Sequence, residues 1–188
     1  MLVAEKRLTV RDFLQMQFEG EDEAYYELIN GEIVKKAAPT PLHQFISGRL
    51  FNKMLNFVLS QQAGEVFAAP TDVFLDNYNH VMPDLLFIRR ENEGIIDYKN
   101  GIVGVPDLVV EILSPGTAMI DRIEKRNAYQ TAGVREYWLI DPNNRAVEVY
   151  ENRAGSFEPF SYAEISGRVQ SNVLPGFEVE IGEIFPNH

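Results

Sequence analysis

Apolar residues follow two rhythms along this chain. In residues 42–58 the positions Leu42, Phe45, Ile46, Leu50, Met54, Leu55 and Val58 recur at helical spacing and predict a helix with one buried face. Thr40 is placed to cap it, and Pro41 suits its first turn. A capping-box pattern, Thr9-Val-Arg-Asp12, predicts a short helix to about Met16. Elsewhere the apolar runs are short and strand-like. Residues 25–35 read as a hairpin around Asn30-Gly31, the preferred type I′ turn. Residues 64–75 read as a strand interrupted near Pro70, and residues 81–88, 107–113 and 137–140 as apolar strands. Residues 146–150 and 157–162 add further strands, and 173–181 a last edge segment. A second helix is expected over 118–132, entered through a turn at 114–117 and ended by Gly133. Residues 21–23 read as an acidic loop and 89–104 as a polar excursion. Six to eight strands, with two long helices falling between them, predict an α+β or α/β sandwich around one mixed sheet. With no repeat or composition break, residues 1–188 are expected to form a single domain.

Composition narrows the functional classes. There is no cysteine, which excludes disulfides and thiolate zinc sites. No run approaches the roughly 20 apolar residues that span a membrane, and the N-terminal stretch lacks a signal-peptide core, so a cytoplasmic location is expected. The net charge of −11 repels nucleic acid at long range, so binding DNA requires a local basic patch. Lys35, Lys36, Arg49, Lys53, Arg122, Lys125 and Arg126 are available to line one cleft.

Two carboxylates stand out. Glu111 interrupts the apolar run 107–113, and Asp84 lies near the start of 81–88. A carboxylate in a core strand is costly unless paired or bound to a cation. Two such groups on neighbouring strands repel unless a proton or a cation sits between them. A hard divalent cation needs only two carboxylates, a backbone carbonyl and water, and the carbonyl of Ile112 is the natural third ligand. Such a metal lowers the pKa of bound water and polarises a phosphate oxygen. Asp121, Lys125 and Tyr129 are spaced four apart on the following helix, with Lys125 suited to developing phosphate charge. Asp121 and Lys125 read equally as a helix ion pair, Tyr129 as packing, and Glu27 as an outward-facing strand residue. His43, alone on a first helical turn, reads as a surface or packing residue.

Pro83-Asp84 followed by Glu111 in an apolar strand resembles the signature of the PD-(D/E)XK nucleases, which have the restriction-endonuclease-like fold. Segments 26–32, 82–87, 106–115 and 133–142 resemble more closely the Uma-type restriction-endonuclease family, and the similarity runs from about Thr9 to Phe185. The resemblance implies a restriction-endonuclease-like core, a mixed sheet flanked by helices. It also implies Mg²⁺- or Mn²⁺-dependent cleavage of DNA, with RNA left open, at Asp84 and Glu111. The superfamily's lysine, two positions after the second acid, is here Leu113. Uma-type proteins look like a variant whose lysine has moved to the next helix, a role Lys125 fits. The resemblance further places Glu27 and His43 near the same cleft, and a homodimer would join two clefts. Leu113 and the absent basic excess keep open an inactive nucleic-acid or partner-binding module, or a hydrolase of small phosphorylated substrates.

Overall fold

The computed structural model describes residues 7–18, 26–36, 38–114 and 119–186. Helix α1 (Val10–Phe13) leads to a hairpin of β1 (Tyr26–Ile29) and β2 (Glu32–Lys35). The long helix α2 (Pro41–Gln61) follows, then β3 (Gly64–Ala68), β4 (Val73–Phe74), β5 (His80–Val81) and β6 (Leu85–Arg89). A 3-10 turn (Arg90–Ile95) precedes β7 (Ile96–Asp97), β8 (Gly101–Val103) and β9 (Leu108–Ile112). A π-helical turn (Ile120–Lys125) then runs into α3 (Arg126–Ala132) and β10 (Glu136–Asp141). The chain finishes with β11 (Ala146–Arg153), β12 (Ser156–Glu164), β13 (Arg168–Gln170), β14 (Glu178–Glu180) and α4 (Ile181–Ile184).

These strands form two six-stranded mixed sheets, ordered β2-β1-β5-β4-β8-β7 and β12-β11-β10-β9-β6-β3, and a separate β13-β14 pair. The sequence pattern predicts one sheet because residues 64–75 and 81–88 each look like a single apolar run. In the structure each run changes sheets at its proline: β3 and β6 belong to the second sheet, β4 and β5 to the first. Proline lacks an N–H for a ladder, so Pro70 and Pro83 mark where pairing stops. The mixed α+β class stands, with the seam between sheets running through Met82-Pro83-Asp84.

The central strands of the second sheet, β6, β9 and β10, are buried on both faces. Leu85, Phe87, Leu108, Val110, Ile112, Trp138 and Ile140 point one way, onto Ile46, Leu50, Met54 and Val58 of α2. Leu86, Ile88, Val109, Tyr137 and Leu139 point the other way, toward Ala128 and Tyr129 of α3 and Ile29, Val73 and Val81 of the first sheet. Strands covered on both sides read as near-continuous apolar runs, as these do. Leu42 and Phe45 flank the buried stripe of α2 and are exposed, a departure from the predicted face, and Leu55 is half-buried. Phe45 lies instead beneath the Arg49 guanidinium, 4.6 Å from its ring centre. The stripe that does pack adds His43 at its N-terminal end.

Local signals are realised where they were strongest. Thr9 and Asp12 complete the capping box, although α1 ends at Phe13. Thr40 caps α2, with Pro41 in its first turn. Asn30 and Gly31 both have positive φ, 53° and 80°, as a type I′ turn requires, and Ile29 pairs with Glu32. Gly133 ends α3 in the left-handed conformation. The expected acidic loop at 21–23, and residues 115–118 of the second turn and helix start, lie outside the described residues.

Gly31 also lies against the preceding chain: a Cβ there would sit 2.9 Å from the Leu8 carbonyl oxygen. Gly31→Ala is expected to destabilise the protein by more than about 1 kcal/mol, read as a lower urea midpoint at unchanged m-value.

Candidate active site

Strand β9 alternates its side chains, so Glu111 shares a face with Val109 and is directed at the helical segment that follows. Strands β9 and β10 are parallel neighbours, with Glu111 opposite Leu139, and the segment joining them must cross over the sheet. That crossover carries Asp121, Lys125 and Tyr129. The wide π-helical turn replaces the regular helix expected there, yet all three side chains are buried. Lys125 Nζ lies 3.0 Å from Glu111 Oε1 and 3.8 Å from Asp121 Oδ1. Tyr129 donates its hydroxyl to the same Glu111 oxygen at 2.6 Å. Tyr129 is therefore a positioning partner of Glu111, closed off from any phosphate.

Glu27 resolves in the inward direction. From β1 in the other sheet, its Oε1 lies 2.9 Å from Lys125 Nζ and accepts the Met82 N–H at 2.7 Å. This last bond ties the hairpin to the segment that delivers Asp84. Asp84 Oδ2 accepts the Ile112 N–H at 2.8 Å and meets His43 Nε2 at 3.0 Å. Asp84 Oδ1 faces Lys36 Nζ at 3.4 Å, and Lys36 also donates to the Met82 carbonyl. His43 Nδ1 is buried without a partner among the described residues.

Glu27, His43, Asp84, Glu111, Ile112, Asp121 and Lys125 thus line one cavity of about 430 Å³, together with Lys36. The expected basic cleft is not built. Arg49 and Lys53 bond Glu183, Arg122 pairs with Asp141 and Glu148, and Arg126 lies over Tyr150 and bonds the Phe157 carbonyl. These cations sit on faces turned toward acidic or carbonyl partners elsewhere.

The electrostatics split the two central carboxylates. Burial raises the pKa of Glu111 to about 8 against the pull of Lys125, and the nearby charges of Asp84 and Asp121 add to the rise. Burial would also raise Asp84, but the His43 hydrogen bond and the Lys36 charge outweigh it and hold Asp84 at about 2. Lys125 is pulled down by burial, yet Glu111, Glu27 and Asp121 lift its pKa well above the ordinary value, so its ammonium stays charged. Glu27, Asp84, Glu111 and Asp121 contribute four negative charges when ionised; Lys36 and Lys125 contribute two positive ones. Among the described lining residues, carboxylates thus outnumber ammonium groups four to two. Among the described residues, no three His, Cys, Asp or Glu side chains converge to enclose a metal on their own. Asp84 and Glu111 both face the cavity, beside the backbone of Ile112.

A family model described as "Putative restriction endonuclease" matches residues 10–182. The chain belongs to this family, Uma2. An uncharacterized protein of Synechocystis sp. is 28% identical over 148 residues, covering 78% of this chain and 81% of that protein. A crystal structure from Anabaena variabilis, described as "a putative nuclease belonging to DUF820", aligns with a TM-score of 0.75 at 22% identity, over 95% of this chain and 97% of that one. That likeness shows a shared restriction-endonuclease-like fold. Uma2 membership supports a nuclease function of a general kind, and with it a nucleic-acid substrate. Among the described residues no helix is long and apolar enough to cross a membrane.

Two features of the structure carry no decisive local signal in the sequence. Lys36 belongs to the cleft-lining charge, but nothing local marks a lysine just after an edge strand as a partner of Asp84. Glu136 is a second carboxylate in an apolar strand. Trp138 Nε1, Ser171 Oγ and the N–H groups of Asn172 and Val173 all donate to it at 2.6–3.0 Å, so its role is to clasp the C-terminal segment.

A carboxyl whose pKa rises on folding stabilises the fold fully below its unfolded value, and that stability is lost as pH rises through the folded value. Glu111 is therefore expected to make the metal-free protein progressively less stable from about pH 4.5 to about pH 8, at up to about 1.4 kcal/mol per pH unit. Glu111→Gln should flatten that part of the profile in chelator-treated samples. Lys125→Met, which strands buried carboxylates, is expected to cost about 3–5 kcal/mol by urea denaturation.

Proposed function

We propose that this Uma2 protein is a divalent-metal-dependent nuclease hydrolysing DNA phosphodiester bonds in the cavity beneath α2. Asp84, Glu111 and the Ile112 carbonyl would hold Mg²⁺ or Mn²⁺. The observation that carries this reading is the gathering of four carboxylates and two lysines around one cavity, with Asp84 and Glu111 beside the backbone of Ile112. When bound, the cation supplies a Lewis acid for a phosphate oxygen and a water of lowered pKa.

The protein's own groups have separable tasks. His43 and Lys36 keep Asp84 ionised and oriented. Tyr129 and Lys125 aim Glu111 into the cavity through one of its oxygens, leaving the other without a protein partner among the described residues. Glu27 fixes the Met82 amide and so the approach of Asp84. Lys125, held by Glu27 and Glu111, adds positive charge beside a phosphate that gains negative charge. Asp121 steadies that ammonium from one turn earlier. The absence of a basic cleft among the described residues favours a second reading, a hydrolase of small phosphorylated substrates.

Cleavage of supercoiled plasmid and single-stranded DNA with Mg²⁺ or Mn²⁺ tests the proposal, with a chromogenic phosphodiester beside them. Asp84→Asn and Glu111→Gln are each expected to lower DNA cleavage by about 100-fold or more and to weaken divalent binding in calorimetry. Turnover of the chromogenic ester with intact DNA would move the assignment to the second reading. A parent protein that binds no divalent cation would end the metal-dependent one.

A further inference from the structure

The cavity has one further property that the acidic floor does not explain. Its walls are formed by Gln44, Ser47, Gly48 and Phe51 of α2 on one side and by Ala68, Ala69 and Pro70 on the other. Glycine in a helix interior costs stability relative to alanine. At Gly48 an added Cβ would meet nothing within 4 Å, so close packing does not demand glycine there. What Gly48 leaves is space, one turn beyond Gln44 and facing the cavity.

The charges on these walls are equally telling. Lys36 and Lys125 are the only Lys or Arg residues among the described lining residues. Lys125 is 2% exposed and within 3.0 Å of two carboxylates, whereas the Lys36 side chain is 20% exposed and has one carboxylate neighbour at 3.4 Å. A phosphate entering the cavity therefore meets Lys36 as the accessible ammonium. A duplex carries one charge per roughly 1.7 Å and needs a row of cations along its backbone. Among the described lining residues there is a single accessible cation beside an uncharged wall, on a protein of net charge −11.

We infer that the space between α2 and the Ala68–Ala69–Pro70 wall is a subsite for one unstacked nucleotide, with Lys36 at its phosphate and Phe51 and Pro70 against its base. The substrate is then a single strand, or a strand end freed from pairing. The inference rests on the nuclease reading above and deepens it. Single-strand sites pair a few cations with apolar or aromatic surfaces for the bases, which matches this lining. Duplex can be used only after a nucleotide is extruded, which costs a few kcal/mol of unstacking and unpairing.

The test compares a labelled oligothymidylate strand, alone and annealed to oligodeoxyadenylate, in Mg²⁺ or Mn²⁺. Binding of the dinucleotide pTpT is measured by calorimetry in parallel. The single strand is expected to be cut roughly tenfold or more faster than the duplex. Gly48→Leu, whose fold is checked by circular dichroism, should abolish both that advantage and pTpT binding. Lys36→Ala should weaken pTpT binding and reduce its salt dependence. Equal cutting of strand and duplex, unaffected by Gly48→Leu, would overturn the subsite while leaving the nuclease reading intact. If the parent cuts neither, the nuclease reading falls and pTpT decides the subsite. Binding by the parent that is lost in Gly48→Leu upholds it, and no binding by the parent overturns it.

Discussion

The Lys125 ammonium lies within 3.0 Å of Glu27 and Glu111 and 3.8 Å of Asp121, and its side chain is almost wholly buried. In that setting each ion-pair contact is much stronger than at a surface, and the loss of either sign leaves uncompensated buried charge. Glu27 comes from one sheet, Glu111 from the other, and Lys125 from the crossover between β9 and β10. A single side chain thus joins three elements that no common ladder connects. Three carboxylates share this one ammonium, which distinguishes the arrangement from a simple one-to-one ion pair. Glu136, by contrast, is surrounded by four neutral donors and asks for nothing further.

How much of this was legible depends on whether the signal is local. Glu111 could be singled out because a carboxylate inside Leu-Val-Val-Glu-Ile-Leu has no inexpensive surface explanation. The hairpin at Asn30-Gly31 and the caps at Thr9 and Thr40 rest on backbone chemistry that neighbouring residues determine. Glu27 was ambiguous, since strand alternation specifies two faces without saying which is inside. Its direction is decided by Lys125, almost a hundred residues later. Lys36 could be read only as one of several cations available to a cleft, because its partner Asp84 is brought near by folding. The division into two sheets hides behind Pro70 and Pro83, which read as interruptions when they are crossings.

The π-helical turn belongs to the same logic. A wider turn shifts side-chain phase between Ile120 and Lys125 and the α3 residues after them. Lys125 and Tyr129 still converge on the same oxygen of Glu111. Regular helical spacing anticipates the company of these residues correctly while missing the backbone that produces it.

The seam at Met82-Pro83-Asp84 has a mechanical meaning as well as a chemical one. The floor of the cavity is shared: Glu27 belongs to one sheet, Glu111 to the other, and Asp84 to the chain passing between them. Whatever occupies the cavity must grip both layers at once, and its binding free energy adds to their cohesion by mass action. Loosening the layers would in turn dissolve the pocket before either sheet unravelled. Occupancy and architectural integrity are two readings of one equilibrium, and resistance of the seam to hydrogen exchange would report on the ligand as directly as on the fold.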